Sequence, residues 1–170
     1  MRLRGTPAEP GAARQPRRLT MVGLGYDSHR FAPGRRLVLG GVEIDHELGL
    51  AGHSDADVLT HAVIDALLGA CGGGDIGTMF PDDDPRWRDA HSIDLLRTVV
   101  GTLTGPVVNV DATLICEQPR LGPYKPEMER VLSEVTSARV GVKATSNEGM
   151  GWIGRGEGIA CMAVASVETE

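Results

Sequence analysis

SDADVLTHAVIDALLGACGGG, residues 54–74, reads as the clearest helix of the chain. Ser54 is a preferred N-cap, and Asp57 stands three residues on, as in a capping box. Three glycines end the segment. Val58, Leu59, Val63, Ile64, Leu67 and Leu68 spread over much of the helix circumference. Such a helix is buried on more than one side, which points to a subunit interface.

Strands and shorter helices flank it. Residues 21–27 read as a strand, and RRLVLGGVEI (35–44) as a second with a bulge or turn at Gly40-Gly41. DIGTMFPDDDPRWRD (75–89) reads as a loop whose prolines fence an acidic turn. SIDLLRTVVGTL (92–103) and PEMERVLSEVTS (126–137) read as helices, the second with Pro126 at its tolerated first position and Met128, Val131, Leu132 and Val135 inward. In PVVNVDATLIC (106–116), Val108, Val110, Ala112 and Leu114 alternate against Asn109, Asp111 and Thr113, as on a half-buried strand. RVGVKAT (139–145) and GIACMAVASVE (158–168) close the chain as strands. The pattern predicts one α+β domain over residues 21–170, a single mixed sheet with helices on one face.

Charge is unevenly distributed. Residues 1–20 hold five arginines and one acid, whereas the remainder carries 12 basic and 22 acidic residues. An acidic body argues against nucleic-acid binding as the main task, which needs a basic face. The basic leader lacks an apolar core and a secretory hydrophobic run, so disorder is expected there. It reads as a transit-like leader, an expression remnant or an over-long start, with Met21 as the alternative start. No stretch reaches the length of a membrane span. Aromatics are 4%, so Val, Leu, Ile and Ala must build the core. Cys71, Cys116 and Cys161 stand singly among apolar neighbours, the pattern of free thiols in a reducing, cytoplasmic setting.

Chemistry concentrates in four places. In GLGYDSHRF (23–31), Asp27 and His29 are two apart, so a strand presents both on one face, as metal ligands or as an acid/base pair. His53, Asp57, His61 and Asp65 recur every four residues and form one stripe, either plainly polar or ligating. Two histidines and one carboxylate leave the fourth corner of a tetrahedron open, as at catalytic zinc, which nominates Asp27, His29 and His61 for one divalent metal. GGGDIG (72–77) and FPDDDP (80–85) are acidic loops, suited to turn formation or to accepting hydrogen bonds from hydroxyl groups. KATSNEGMGWIGRGEG (143–158) combines hydroxyls, glycines and Arg155, which suits phosphate, and Glu148 suits a hard cation such as Mg²⁺.

GxDxH near the start, HSDADV with a histidine eight residues after its first, GDIG, FPDDDP and K-A-T…GRGEGIA occur in that order over residues 21–168. As a set they resemble the 2-C-methyl-D-erythritol 2,4-cyclodiphosphate synthase family of non-mevalonate isoprenoid biosynthesis. The resemblance implies a homotrimer with active sites between subunits, zinc on Asp27, His29 and His61, and Mg²⁺ or Mn²⁺ near Glu148. It implies a phosphorus–oxygen lyase that closes 4-diphosphocytidyl-2-C-methyl-D-erythritol 2-phosphate into the cyclodiphosphate and releases CMP. By motif position, Asp27, Ser28, His29, His53, Ser54, Asp75, Ile76, Gly77, Phe80, Pro81, Asp82, Asp83 and Asp84 fall to the methylerythritol and phosphate part. The cytidine diphosphate part falls to Cys116, Glu117, Gln118, Pro119, Arg120, Leu121, Gly122, Thr145, Ser146, Asn147, Glu148, Trp152 and Arg155. His53 and Ser146 would be catalytic, donating to charge that develops in transfer. One departure stands out: the family's ATTTE or ATTTD is ATSNE here, so the position of its threonine is Ser146, and Trp152 replaces a Phe or Leu. Serine keeps the hydroxyl with a less restrained rotamer. The rival readings are a metal-dependent phosphohydrolase, a non-catalytic nucleotide-binding trimer, and a structural zinc.

Overall fold

Glycines alternate with large residues on the first strand, and this sets how closely the helix layer approaches. The computed structural model describes residues 18–169, and β1 runs Leu19–Pro33. Gly23 and Gly25 are buried beneath α1 (Val58–Cys71), whereas Val22, Leu24 and Tyr26 face away. A Cβ on Gly25 would lie 1.9 Å from the Ala62 carbonyl oxygen, and one on Gly23 would lie 2.0 Å from that of Ala66. Only glycine fits there, so the helix backbone rests almost directly on the strand.

The sheet has the order β4-β1-β7-β5-β6, with β4 Leu48–Leu50, β5 Val107–Ile115, β6 Arg139–Thr145 and β7 Gly158–Thr169. β1 and β7 pair antiparallel from Leu19↔Thr169 to Arg30↔Gly158. β5 and β6 are parallel, and α4 (Lys125–Thr136) makes the crossover that a parallel pair needs. α1 lies across β1 and β7, α4 lies on β6, and α3 (Ser92–Thr102) packs on both helices. Leu59, Ile64, Leu67, Leu96, Leu114, Met128, Leu132 and Ile159 are fully enclosed between these layers. The α+β class, the mixed sheet and its helix-covered face agree with the sequence reading. Among the described residues the opposite face is bare and apolar: Val22 is 65% exposed, Leu24 63%, Tyr26 53%, Met162 44% and Val164 42%.

Several local expectations are corrected. β1 begins at Leu19, so residues 19 and 20 belong to the sheet and not to a leader, and Arg18 pairs with Glu168 at 3.1 Å. Positions 1–17 lie outside the described residues. Residues 35–44 form two strands, β2 (Leu37–Leu39) and β3 (Val42–Ile44), a hairpin separate from the main sheet. Gly40 and Gly41 both take positive φ, 59° and 74°, which is the primed turn favoured in tight hairpins. α1 starts at Val58 with Asp57 as its cap, not Ser54. The Asp57 carboxylate receives the N–H of Gly40 (2.8 Å), Gly41 (2.7 Å) and Thr60 (3.0 Å) and the Thr60 hydroxyl (2.7 Å), so it ties helix to hairpin. Residues 75–89 hold a short helix, α2 (Ile76–Met79), and a 3₁₀ turn at Pro85–Trp87. A bulge between Val107 and Asn109 turns Val107 inward and leaves Val108 exposed, which reverses the alternation expected at that end.

Candidate active site

β1 carries Asp27 and His29 toward α1, and the first turn of α1 carries His61 toward them. Asp27 Oδ2 lies 3.0 Å from His29 Nε2 and 3.0 Å from His61 Nδ1, and the two ring nitrogens are 3.2 Å apart. His29 donates its Nδ1–H to the Ala51 carbonyl at 2.7 Å, because a carbonyl only accepts, so Nε2 faces the centre and offers a lone pair there whenever the ring is neutral. Asp27 Oδ1 receives the Ser28 N–H at 2.8 Å, which leaves Oδ2 to the imidazoles. His61 Nε2 points away, 2.8 Å from Ser92 Oγ and 3.2 Å from Ser54 Oγ. Burial works to raise the Asp27 carboxyl, but hydrogen bonds and attraction from both imidazoles outweigh it and hold the group well below the usual carboxylate range. Burial works to lower His29, and the Asp27 hydrogen bond and charge reverse this and raise it. Three donor atoms of metal-ligating type thus converge on one point and could hold a divalent cation there.

A cavity of about 500 Å³ opens beside this centre. His53, Ser54, Ile76, Gly77, Phe80, Pro81, Asp82 and Asp83 line it, as do Asp27, His29 and His61. Asp75 and Asp84 lie outside the lining: Asp75 caps α2 by accepting the Thr78 N–H at 2.7 Å, and Asp84 accepts the Arg86 N–H and guanidinium. The four-residue stripe divides by role. His53 is exposed and 4.0 Å from Asp82, Asp57 is the buried tie to the hairpin, His61 faces the centre, and Asp65 accepts the Ile76 N–H at 2.8 Å.

A second cavity, of about 700 Å³, is lined by Cys116 to Pro123, Lys125, Thr145 and Ser146. The Glu117 carboxylate receives the N–H groups of Asn147 (3.0 Å) and Gly149 (3.2 Å) and so shapes the loop that follows β6. Glu148 sits at positive φ, 51°, and accepts the Ser146 hydroxyl at 2.7 Å. Trp152 lies half-buried in α5 (Gly151–Gly154), and Arg155 pairs with Glu157 at 2.6 Å. The two cavities share no lining residue. Thr145, Ile115, Ala160 and Ser28 are successive register partners across β6, β5, β7 and β1. Three strand spacings of about 4.8 Å place Thr145, at the end of β6, about 14 Å from Ser28, between Asp27 and His29.

Residues 20–168 match the family model described as the YgbB family. The chain belongs to the YgbB family. It is similar to a protein of Symbiobacterium thermophilum named 2-C-methyl-D-erythritol 2,4-cyclodiphosphate synthase, 56% identical over 86% of this chain and 98% of that one. A solved structure of a 2C-methyl-D-erythritol-2,4-cyclodiphosphate synthase with CDP bound aligns with a TM-score of 0.78 at 36% identity, over 86% of this chain and 99% of that one. The bifunctional IspDF from Campylobacter jejuni aligns with a TM-score of 0.86 at 36% identity, over 91% of this chain and 44% of that longer protein.

Two further features of this YgbB family member bear on the chemistry. Burial, with the charge of Glu117 added, pushes the Cys116 thiol up to about 11, and burial raises Cys161 as well. Neither is a thiolate nucleophile at neutral pH. Gly52, Trp87 and Leu95 also line the first cavity, although the sequence does not single them out. Trp87 meets Phe80 edge-on at 4.9 Å, and its indole N–H is buried without a partner among the described residues. A Cβ on Gly52 would lie 3.3 Å from His29 Cε1 and 2.9 Å from the Ala56 Cβ. Gly52 lies in a loop and Trp87 in the 3₁₀ turn, where no periodicity flags them, and Leu95 reads only as an apolar position of α3. Among the described residues, no helix is long and apolar enough to cross a membrane.

Proposed function

We propose that the chain closes 4-diphosphocytidyl-2-C-methyl-D-erythritol 2-phosphate to 2-C-methyl-D-erythritol 2,4-cyclodiphosphate and CMP, as a cytoplasmic, metal-dependent homotrimeric lyase. The observation that carries this is the Asp27–His29–His61 centre opening into a cavity of loop donors and acids, in a chain whose full-length relatives bear that synthase name. Zinc suits the donor set: bonds of about 2.0 Å at tetrahedral angles separate ligand atoms by roughly 3.3 Å, against the 3.0 and 3.2 Å found here. When bound, it supplies a Lewis acid for a phosphate oxygen. Glu148, an exposed carboxylate, suits Mg²⁺ or Mn²⁺ shared with substrate phosphates, which would supply charge neutralisation.

The chemical problem is to join two anions. An oxygen of the 2-phosphate forms a bond to the β-phosphorus, and the bond from that phosphorus to the oxygen bridging to the α-phosphorus breaks. CMP leaves with the bridging oxygen. The attacking phosphate is already ionised, so no protein base is required; the protein aligns groups and offsets charge. His53, Ser54 and the Ile76–Gly77 and Phe80–Asp83 loops would hold the methylerythritol phosphate. The loops at Cys116–Gly122 and Thr145–Glu148, with Trp152 and Arg155, would hold the cytidine diphosphate. Ser146 and His53 would donate to the transferring phosphoryl group.

The separation of the two cavities within one chain favours sites shared between protomers. The bare face of Leu24, Tyr26, Met162 and Val164 is the apolar surface that an assembly would cover. The test is metal content and CMP release for the wild type and His61→Ala, with products made in ¹⁸O-water. Synthase activity gives equimolar cyclodiphosphate and CMP with no solvent oxygen, and His61→Ala loses metal and CMP together. Solvent oxygen in the products would identify a phosphohydrolase instead. Binding of CDP with no CMP ever formed would identify a nucleotide-binding module.

A further inference from the structure

We propose that Ser92 and Asp55 are positioning residues for the metal centre, acting through His61; this rests on the metal-centre reading above. Asp55 precedes α1 and Ser92 opens α3, so the pair bridges two elements. The Asp55 carboxylate receives the Ser92 N–H at 3.0 Å through one oxygen and the Ser92 hydroxyl through the other. Asp55 also donates its own N–H to the Ala90 carbonyl at 3.2 Å, which fixes the loop that carries it. Ser92 is fully buried, and His61 is 8% exposed.

The direction of the hydrogen bonds follows from inventory. A serine hydroxyl has one proton, and a carboxylate only accepts, so the Ser92 proton goes to Asp55. Ser92 Oγ then has only lone pairs for His61 Nε2, 2.8 Å away. His61 must therefore be the donor, with its proton on Nε2. Ser54 Oγ, 3.2 Å from the same nitrogen, receives the Ala56 N–H at 3.1 Å and keeps a second lone pair; with the proton on Nε2 it can only accept from that nitrogen, its own proton turned elsewhere. A neutral imidazole protonated at Nε2 presents a lone pair at Nδ1, and Nδ1 is the atom that faces Asp27 and His29. Asp55 and Ser92 thus select the ligating tautomer of His61 and hold its ring in plane, as the Ala51 carbonyl does for His29. Outer partners of this kind typically change metal affinity by 10–100-fold.

The experiment titrates zinc into metal-free wild type, Ser92→Ala, Asp55→Asn and the double variant against a chromophoric chelator. Circular dichroism of the metal-free proteins reports the fold, and the visible spectrum of the Co²⁺ form reports coordination. Ser92→Ala is expected to weaken zinc binding by about tenfold. Asp55→Asn should weaken it in the same direction, and the double variant should be no worse than the stronger single one, because both act on one nitrogen. The Co²⁺ band should change in both single variants. Wild-type zinc affinity in folded Ser92→Ala overturns the proposal, and so do additive effects in the double variant. Should Ser92→Ala fail to fold, wild-type affinity in Asp55→Asn overturns it. A wild type that binds no zinc at this site removes the metal-centre reading, and this proposal with it.

Discussion

His29 and Asp27 hold each other in charged form, and the metal-free protein should report this in its pH dependence. His29 lies above its ordinary value of 6.5, so the pair contributes stability that is complete below about pH 6.5 and is lost as pH rises through the raised value. Asp27 lies below its ordinary 3.8, so its contribution is present above that pH and is lost as pH falls through the depressed value. Chelated wild type should therefore lose stability in urea unfolding as pH rises from about 6.5 through the raised value of His29, and His29→Gln should flatten that slope. Metal must displace the His29 proton, so zinc affinity should rise with pH by up to about tenfold per unit while His29 is protonated. Ser146 tests the departure from the threonine-rich run. Ser146→Ala should lower kcat by about a hundredfold with little change in KM, and Ser146→Thr should stay within about threefold of wild type.

α1 was legible because fourteen residues of apolar and helix-forming character are flanked by a cap and glycines. Its cap was misplaced by three residues because Asp57 serves two partners. A capping box is local, whereas the hairpin turn that also uses this carboxylate comes from residues 40 and 41. Asp57→Ala would strand the buried N–H groups of Gly40 and Thr60 and release that of Gly41, and should cost about 3 kcal/mol by denaturant unfolding. Gly25→Ala forces a Cβ into the α1 backbone and should cost about 3 kcal/mol, and it should weaken zinc binding because α1 and His61 would be lifted from β1. A Gly25→Ala protein with wild-type stability would contradict this packing. The inversion of Val107 and Val108 was not legible at all, since a bulge depends on the partner strand and not on the residues it displaces.

At the scale of the whole molecule, one chain presents two separate cavities and, among the described residues, an uncovered apolar sheet face. Leu24→Asp with Val164→Asp should yield monomers by light scattering that retain zinc but release no CMP. If each site is shared, equal mixing of His61→Ala and Glu148→Ala protomers should restore about one quarter of wild-type activity by random assembly; zero recovery in mixed trimers would place the whole site in one chain. The chain alone determined the long helices and strands, the acidic body and the pairing of Asp27 with His29, because these follow from local periodicity and from the two-residue repeat of a strand. That His61 meets the pair, that Asp57 does not, and that Ser92 stands behind His61 were decided by tertiary structure alone. The physical reason is that positions four apart on a helix differ little in sequence pattern, and only the close seat of α1 on Gly23 and Gly25 selects which of them reaches β1.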